Sequence, residues 1–547
     1  MKDFKWLAIL ILCICPLILY AHEIEHGGLC YNIVKTADGD TFLEVTHKGD
    51  TYGTYSGDVV IPASVEIDGH DIPVKSIGTF SFRDCGGLTA VSIPESVTTI
   101  GEYAFWRCSS LASVDIPASV TDIGDSAFKK CISLESVNIP LGVRSIGSFA
   151  FKDCEALRSL EIPESVVLID TCAFAGCKSL TEVVLPPSLK SVSTELFGSC
   201  EKLENVTLPE GLESVGFRAF QYCSSLREIS IPNSVKSLGK GVFRYCKSLH
   251  SVRLPENMTV IPESFFECSS LPSLTIPKTV TEIGKRAFDG CRLLKSITIP
   301  SGVRTIGMYA FRKSGLETVD FEEGINFLGV RSFSECDSLV SVTLPESLDS
   351  IGLGAFDRCG KLSSVRFPSR MDGIGNYAFG ECSSLETVIL PEGITYLTDV
   401  FFYCSSLKNV HLPGTLETIG YSAFNACDAL DSISIPQSVK SIQAAAFFEC
   451  RSITSVRMMG PVPPALDESA FQNFHATLYV PTGATEAYQS ASVWSNFSKI
   501  IEFDTAQISA TAYQPAAVSP IHDLQGRRLN GIPQKGVYIQ NGRKMVK

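Results

Sequence analysis

The sequence is short of histidine and of positive charge. It has only eight histidines in 547 residues, and 46 lysines and arginines stand against 59 acidic residues, for a net charge of −13. A polyanion such as nucleic acid needs clustered cations, so this balance argues against nucleic acid as a partner. A phosphate-binding glycine loop and a G-x-S-x-G nucleophile elbow are also missing. We therefore expect neither an enzyme nor a cofactor-binding protein.

Long hydrophobic runs are missing everywhere except at the N-terminus. There, a short basic start precedes an almost wholly apolar run from Trp6 to Tyr20, and Ala21 offers a small residue for cleavage. The run is interrupted by Pro16 and is short for a membrane span, which needs about 20 residues. We predict a signal peptide over residues 1–21, export of the chain, and no transmembrane segment in the mature protein.

One repeated unit fills most of the chain. Its clearest copy runs from Leu88 to Ser110, and copies follow at steps of 23 or 22 residues. A degenerate first copy lies over about 59–87, and a failing one begins at Ile453. The first leucine of the unit recurs at positions 88, 111, 134, 157, 180, 203, 226, 249, 271, 294, 316, 339, 362, 385, 407 and 430. Internal repetition at this period predicts one stacked body instead of several domains.

Each fixed position of the unit has a physical role. The alternation in Val91-Ser92-Ile93 predicts a short strand with its apolar residues inward, and the proline that follows ends it. Gly101 suits a close approach between coils. Every coil also has a phenylalanine, so stacking predicts one continuous spine of rings; in the three coils with paired phenylalanines we assign Phe266, Phe402 and Phe447 to it. The expected fold is a β-rich repeat solenoid of about 17 stacked coils.

The remaining segments are predicted to close and extend this solenoid, which we place at 59–457. Residues 22–58 are expected to form an N-terminal β cap and residues 458–503 a C-terminal cap, because open solenoid ends expose unpaired strand edges. Residues 504–519, rich in Ala, Thr, Gln and Pro, are typical of a linker. Residues 520–547 are predicted to form a basic β-hairpin.

Sixteen of the 20 cysteines occupy the same repeat position. We predict that they form an inward ladder of small, buried free thiols. Disulfides stay an alternative, because stacked coils would place neighbouring Cα atoms within disulfide range, although parallel side chains do not easily reach the required dihedral angle. One thiol per coil does not build a tetrahedral metal set. Cys30 and Cys172 fall outside the ladder and receive no assignment.

An H-E-x-x-H pattern at His22–His26 matches the zinc-binding pattern of metalloproteases. That chemistry needs both histidines on one face of a stable helix, together with a further ligand. The pattern starts at the predicted mature N-terminus and is followed by Gly27 and Gly28. We interpret it as a chance match and expect no metal site.

The variable residue of each strand, between its two inward neighbours, is the candidate binding position. Stacking would align these residues, from Ser92 to Arg457, into one exposed stripe, which is the kind of surface that repeat proteins use for binding. A solvated sheet rich in Ser and Thr is the alternative interpretation. Our candidate ligand-binding residues in this stripe are Asp115, Asn138, Glu161, Thr207, Arg253, Asp320, Arg366, His411 and Arg457.

The unit L-x-x-V-x-I-P-x-x-V-x-x-I-G-x-x-A-F-x-x-C resembles the BspA-like, or Treponema-type, leucine-rich repeat, over about residues 28–503. The departures are few, such as Ser314 in place of cysteine and Glu322 in place of proline. The resemblance implies an exported surface protein that adheres to host matrix proteins or to other cells. A structural or carbohydrate-associated envelope protein is the alternative. The stripe has no aromatic residue, which favours a protein ligand over a glycan.

The C-terminal segment carries a second resemblance. Its Asp-Leu-Gln-Gly-Arg sequence at 523–527 and Lys-Gly-Val-Tyr-Ile sequence at 535–539 are similar to the end of sorting domains that direct cargo through type IX secretion. The segment is shorter than a full sorting domain. A terminal β-unit without a targeting role is therefore the alternative.

Overall fold

A computed structural model of the chain describes residues 24–49, 51–267, 270–472 and 474–504, and four short strands between 521 and 546. It is a β-solenoid of about 18 turns with almost no helix, which confirms the fold that the repeat predicts. The predicted signal peptide and nearly all of the predicted linker lie outside the described residues.

One side of the solenoid is a parallel sheet, which we call the front sheet. Each coil adds one short strand, because its alternating pattern buries one residue and exposes the residues beside it, as in Ser113–Asp115. Strands follow in register, so that Val114 lies opposite Val137. The strands of the front sheet are Ser56–Val60, Gly87–Ser92, Ser113–Asp115, Ser136–Asn138, Glu182–Val184, Asn205–Thr207, Glu228–Ser230, Ser251–Arg253, Ser296–Ile299, Thr318–Phe321, Ser341–Thr343, Ser364–Arg366, Thr387–Ile389, Asn409–His411, Ser432–Ile435, Ser455–Met458, Thr477–Pro481 and Lys499–Phe503.

A second parallel ladder, the side ladder, forms where the chain turns back after the proline. Its strands have two residues each and end just before the conserved bend of the coil, as at Ile123 before Gly124. The strands of the side ladder are Thr99–Ile100, Asp122–Ile123, Ser145–Ile146, Leu168–Ile169, Ser191–Val192, Ser214–Val215, Ser237–Leu238, Val260–Ile261, Glu282–Ile283, Thr305–Ile306, Phe327–Leu328, Ser350–Ile351, Gly373–Ile374, Tyr396–Leu397, Thr418–Ile419, Ser441–Ile442 and Ala465–Leu466.

The third side, the turn face, is built from consecutive turns. In the coil of Phe105 the flanking residues Tyr103 and Arg107 take positive φ angles of 55° and 63°, and most other coils have the same pair of left-handed positions. These bends point every second backbone N–H of the turn toward the next coil. Thus Phe105 donates its N–H to the carbonyl of Ala127 at 2.7 Å. The turn face therefore has its own inter-coil hydrogen bonds, which offset the strain of left-handed residues.

A stack of phenylalanine rings runs through the core. Neighbouring centroids lie 4.9 Å apart at Phe82 and Phe105 and up to 5.9 Å apart at Phe220 and Phe243, with nearly parallel planes. The rings of the stack are Phe82, Phe105, Phe128, Phe151, Phe174, Phe197, Phe220, Phe243, Phe266, Phe288, Phe311, Phe333, Phe356, Phe379, Phe401, Phe424, Phe447 and Phe471. The predicted spine is confirmed and extends one coil further than expected.

One assignment within this spine is wrong. Phe401, not Phe402, stacks between Phe379 and Phe424, and it is fully buried. Phe401 lies three residues before Cys404, which is the spacing of most coils, whereas the side chain of Phe402 is directed to the partly exposed turn face. Phe266 is confirmed as a spine residue, stacked on Phe243.

The predicted thiol ladder is present in the described residues. Each of its described cysteines is free and buried, and Cys268 lies outside them. From Cys108 onward, the thiol of each donates to a phenylalanine carbonyl of the preceding coil, as from Cys131 to Phe105 at 3.1 Å. Ser314 takes the thiol position in its coil and lies 3.3 Å from the sulfur of Cys336.

The close approach of coils at the conserved glycine gives a direct stability prediction. A Cβ on Gly124 would lie 2.7 Å from the backbone of Ile100 and Gly101 in the preceding coil. Gly124→Ala must push two backbones apart, so we expect the free energy of unfolding to fall by about 1–3 kcal/mol. Gly373→Ala is the matched control, because no atom lies within 4 Å of a Cβ at that position. Equal effects of both changes on urea unfolding would contradict the packing argument.

The N-terminal end of the solenoid is covered by antiparallel strands. Its first two hairpins pair Ile24–His26 with Leu29–Lys35, and the latter with Thr41–Thr46. Another hairpin pairs Ser64–Ile67 with His70–Ile77, which joins the cap to the side ladder. The cap thereby covers the edge of the side ladder, whereas Ser56–Val60 is the first strand of the front sheet.

The C-terminal end closes differently. The last strands continue the front sheet, and an α-helix at Thr485–Ser490 and a 3-10 helix at Trp494–Asn496 lie between them. Phe497 packs edge-on against Phe471, the last ring of the spine, at 5.7 Å. Further along, the tail contains short antiparallel strands at Ile521–His522, Arg528–Leu529, Val537–Gln540 and Arg543–Val546.

Candidate functional site

The predicted stripe exists as a geometric feature of the front sheet. Asp115, Asn138 and Glu161 lie directly opposite one another in successive coils. Farther along, Asp320 is paired with Thr298 in the same way. Every one of the nine candidate residues is exposed: Asp115, Asn138, Glu161, Thr207, Arg253, Asp320, Arg366, His411 and Arg457. The strand pattern fixes this arrangement, because the inward residues on both sides hold each stripe residue outward.

Most charged side chains of the stripe form no ion pair within the described part of the chain. Among the described residues, Asp115, Glu161, Arg253, Asp320 and Arg366 form no ion pair. Many cations elsewhere on the array, such as Lys178 and Arg227, do bridge coils. These stripe charges are therefore available to a ligand.

Bridging ion pairs occupy the other surfaces of the array. Lys178 lies 2.8 Å from Glu155 of the preceding coil, an exposed pair with little effect on stability. Arg244 and Glu267 are more buried and lie 2.7 Å apart on the turn face. Because such pairs already satisfy their charges, the side chains that form them are less available to a ligand than the unpaired charges of the stripe are.

The stripe is longer than its sequence pattern indicates. Arg457 lies opposite Tyr479, which lies opposite Ile501, so two residues of the closing strands continue it. The guanidinium of Arg457 is 5.7 Å from the Tyr479 ring and 5.4 Å from the Phe503 ring. The alternation in Thr477–Pro481 was a signal for this strand, but without a repeat unit around it we interpreted it only as cap.

Exposed aromatic residues do occur on the side ladder, at Phe327 and Tyr396, and on the turn face. Tyr222 is 46% exposed and stacks on Tyr245 with centroids 4.9 Å apart. A shallow cavity of about 370 Å³ lies beside Tyr222 and is also lined by Asp153, Glu195 and Arg218. The sequence pattern did not point to this surface, because its residues sit at variable positions of the turn.

The H-E-x-x-H pattern has no helix under its described part. Residues Ile24–His26 form a β-strand paired with the strand that begins at Leu29, and His22 lies outside the described residues. Within the described part of the chain, no group of three or more His, Cys, Asp and Glu side chains is placed to hold a metal ion. Nor does any described helix have the length and apolar character to cross a membrane.

The two cysteines outside the ladder are also free and buried. The backbone N–H of Cys30 donates to the hydroxyl of Tyr55 at 3.1 Å, and burial raises the pKa of the Cys30 thiol. Cys172 occupies a left-handed position of the turn face, with its sulfur 3.7 Å from a carboxylate oxygen of Glu195. Burial, and then the nearby carboxylate, raise the pKa of the Cys172 thiol. A raised thiol pKa is the opposite of what a nucleophilic cysteine needs.

Solved structures with similar folds come from several bacteria. A leucine-rich repeat protein of Bacteroides ovatus is 22% identical, with 89% of this chain and 100% of that chain covered, at a TM-score of 0.48. A leucine-rich cell surface protein of Faecalibacterium prausnitzii is 27% identical, with 80% and 94% covered, at a TM-score of 0.39. The pneumococcal vaccine antigen PcpA is 17% identical, with 88% and 99% covered, at a TM-score of 0.31.

A search of the curated proteins finds no match. The family model for the BspA type leucine-rich repeat region matches residues 64–181, 145–270, 259–373 and 350–477. These overlapping matches span nearly the whole solenoid and coincide with the coils that stack in the structure. The chain therefore belongs to the BspA-type leucine-rich repeat family.

Proposed function

We propose that the protein is a binding scaffold of the bacterial surface, not an enzyme, and that it holds a protein ligand of host matrix or of a neighbouring cell on its front sheet. The single observation that carries this proposal is the stripe: one exposed side chain per coil, in register along the array, with charges that no ion pair of the described residues uses. A rigid repeat scaffold suits this role, because its strands position many side chains with little loss of conformational entropy on binding.

The charge distribution of the stripe supports an oriented ligand. Asp115 and Glu161 lie toward the N-terminal half, whereas Arg253, Arg366 and Arg457 lie toward the C-terminal half. Unlike charges at the two ends would favour one direction of a bound chain over the other. We infer that both ends of the stripe contribute to selecting the ligand.

Capture from host matrix and bacterial surface proteins, followed by charge reversal, tests the proposal. We expect Asp115→Lys with Glu161→Lys to weaken retention of the captured ligand at least tenfold, since close charge pairs across an interface contribute more than about 1.4 kcal/mol. The matched control is Glu95→Lys with Glu164→Lys. These exposed acids lie just beyond the front strands, Glu164 in the coil of Glu161 and Glu95 in the coil before that of Asp115. Equal loss in both double variants would contradict binding at the stripe.

Glycan binding is a second candidate, and the exposed tyrosine pair of the turn face favours it. Sugars stack on exposed aromatic rings, and the cavity beside Tyr222 adds carboxylates and a guanidinium that can accept or donate hydrogen bonds. Tyr222→Ala would then abolish binding on a glycan array and leave protein capture unchanged. Loss of protein capture in this variant would instead place the protein ligand on the turn face.

Delivery to the surface is proposed from the two termini. A signal peptide at 1–21 would carry the chain across the inner membrane, and the tail after residue 519 would then direct passage to the outside. A truncation after Asp504 leaves every coil of the solenoid intact, so we expect it to fold and to accumulate in the periplasm of the native host. Surface labelling measures this. Wild-type levels outside the cell would show that the tail has no sorting role.

A further inference from the structure

The front sheet is interrupted at the coil that begins at Leu271. The coil before it contributes the strand Ser251–Arg253 and the coil after it the strand Ser296–Ile299. Between them, residues 273–276 form neither a strand nor a bridge. Among the described coils between 87 and 458, this is the one place where a coil adds no pairing to the front sheet.

Two prolines remove inter-coil hydrogen bonds near the interruption, Pro272 in this coil and Pro262 in the coil before it. Pro272 occupies the position at which His250 donates its backbone N–H to the preceding coil at 2.9 Å. Pro262 occupies the position that Gly239 and Gly284 take in the neighbouring coils. Each of these glycines donates its N–H to a carbonyl of the preceding coil in the side ladder, at 2.8 Å. Because proline has no N–H, each replacement removes one inter-coil hydrogen bond.

The array is not broken at this point. The ring of Phe266 remains stacked between Phe243 and Phe288, with centroids 5.8 Å and 5.5 Å away. On the turn face, Phe266 still donates to the carbonyl of Ala287 at 2.8 Å. The spine, the turn face and the side-ladder pairing of Val260–Ile261 with Glu282–Ile283 therefore hold this coil to the preceding one, and the opening at 273–276 is confined to the front sheet.

The opening leaves two clefts, one on each side of residues 273–276. The first has a volume of about 620 Å³ and lies between this segment and the strand Ser251–Arg253; the second, of about 610 Å³, lies toward Ser296–Ile299. The backbone groups of residues 273–276 form no hydrogen bond with any described residue. An extended backbone with free N–H and C=O groups beside a cleft is the geometry that accepts an added strand.

The charge of the first cleft is unusual for an acidic protein. Arg253 and Lys278 both line it, against Glu256 as the one acidic residue of its lining. Neither Arg253 nor Lys278 forms an ion pair within the described residues. An acidic ligand would therefore find two unpaired cations at the free strand edge.

We propose that an extended acidic segment of the ligand adds as a strand to residues 273–276, in the cleft lined by Arg253 and Lys278. Backbone hydrogen bonds fix the register of the bound segment against residues 273–276, and the two cations select acidic side chains. The inference rests on the proposed function, since it names where on the front sheet the protein ligand docks and in what conformation. Arg253, already a candidate of the stripe, is the residue common to both.

Synthetic peptides test the strand addition with the full exported chain. The probe is a ten-residue peptide of alternating threonine and glutamate, and its counterpart has lysine in place of glutamate. Two further acidic peptides are N-methylated at the odd or the even amides, which keeps the charge but removes the donors of one edge. By fluorescence anisotropy we expect the acidic peptide to bind at least tenfold more tightly than the basic one. At least one N-methylated peptide should lose tenfold in affinity.

Variants locate the site. Arg253→Glu with Lys278→Glu should weaken the acidic peptide at least tenfold, whereas Lys361→Glu with Lys408→Glu, exposed cations that lie outside the stripe, should change its affinity less than twofold. Pro272→Thr restores the missing donor. We expect it to slow hydrogen–deuterium exchange at residues 273–276 and to weaken the peptide.

Three results would overturn the proposal: acidic and basic peptides that bind alike, N-methylated peptides that both bind like the parent, or control variants that lose as much affinity as the cleft variants. Failure of the proposed function looks different, because the array would then capture no protein ligand at all. A ligand that is captured but insensitive to Arg253→Glu with Lys278→Glu leaves the scaffold role standing and rejects the cleft.

Discussion

Raising the pH from about 9 to 11 is expected to unfold the solenoid, because its core is lined by thiols that cannot ionise in place. Burial raises the pKa of the Cys85 thiol to about 11 and those of Cys200 and Cys404 to about 12, and it raises the pKa of the Cys177 and Cys223 thiols well above the usual value. The usual value is 9.0. Since the folded pKa is raised, the stabilisation is complete below pH 9 and is lost as the pH rises toward the folded values.

The loss is large because it is repeated along the array. Each thiol that ionises only in the unfolded chain lowers the free energy of unfolding by about 1.4 kcal/mol per pH unit above its unfolded pKa. A few coils together therefore lose several kcal/mol within one pH unit. Circular dichroism between pH 8 and 11, with a reductant present, should show a steep loss of β-structure.

A four-cysteine variant separates the thiols from tyrosine and lysine, which titrate in the same range. Replacing Cys177, Cys200, Cys223 and Cys246 by alanine should flatten the dependence of the unfolding free energy on pH by about 5 kcal/mol per unit above pH 9. Ser314 shows that a coil tolerates a small residue other than cysteine at this position. An unchanged slope in the variant would contradict the role of the buried thiols.

Phe243→Ala is expected to divide the array into two parts that melt separately. The ring is fully buried and contacts Phe220, Phe265 and Phe266. Its removal should lower the stability of that interface by about 3–5 kcal/mol through lost burial and the cavity left behind. Because coils contact only their neighbours, a weakened interface can uncouple the two halves. Calorimetry should then resolve two transitions where the wild type has one.

The position of Phe243 makes the separation sharper than it would be elsewhere. The next coil already lacks the backbone donor that Pro262 replaces, and the coil after it lacks the donor that Pro272 replaces, so the spine holds more of the interface there. Phe448→Ala is the control, since this ring is 38% exposed on the turn face and should have little effect on stability. A single unshifted transition for Phe243→Ala would refute the stacked-ring account.

Much of this fold could be predicted from the sequence because each coil repeats the same constraints. The alternation around Ser92, the bend at Gly101 and the phenylalanine of each coil recur in phase, so a local error in one coil is corrected by its neighbours. The same repetition predicted the exposure of the stripe, since a residue between two inward neighbours on a strand has only one direction to face.

The missed features lie where the repeat departs from its unit. Phe401 and Phe402 are adjacent, so the presence of a ring alone does not identify the spine residue. The spacing to Cys404 identifies it as Phe401. Pro272 stands at a position whose residue type varies from coil to coil, so its missing donor shows no signal in the pattern. The missing hydrogen bond is recognised only when Pro272 is compared with His250, the equivalent residue of the preceding coil, whose N–H makes that bond. Tyr479 was missed because the closing strands no longer carry the unit.

The central claim is that the front sheet binds a protein ligand. Hydrogen–deuterium exchange of the full chain with and without its captured ligand tests it most directly, because amide protection maps the contact coil by coil. The account predicts protection along the front strands, greatest at 251–254 and 273–276, with unchanged exchange at the turn residues around Tyr222. Protection confined to the turn face, with the front strands unchanged, would contradict it.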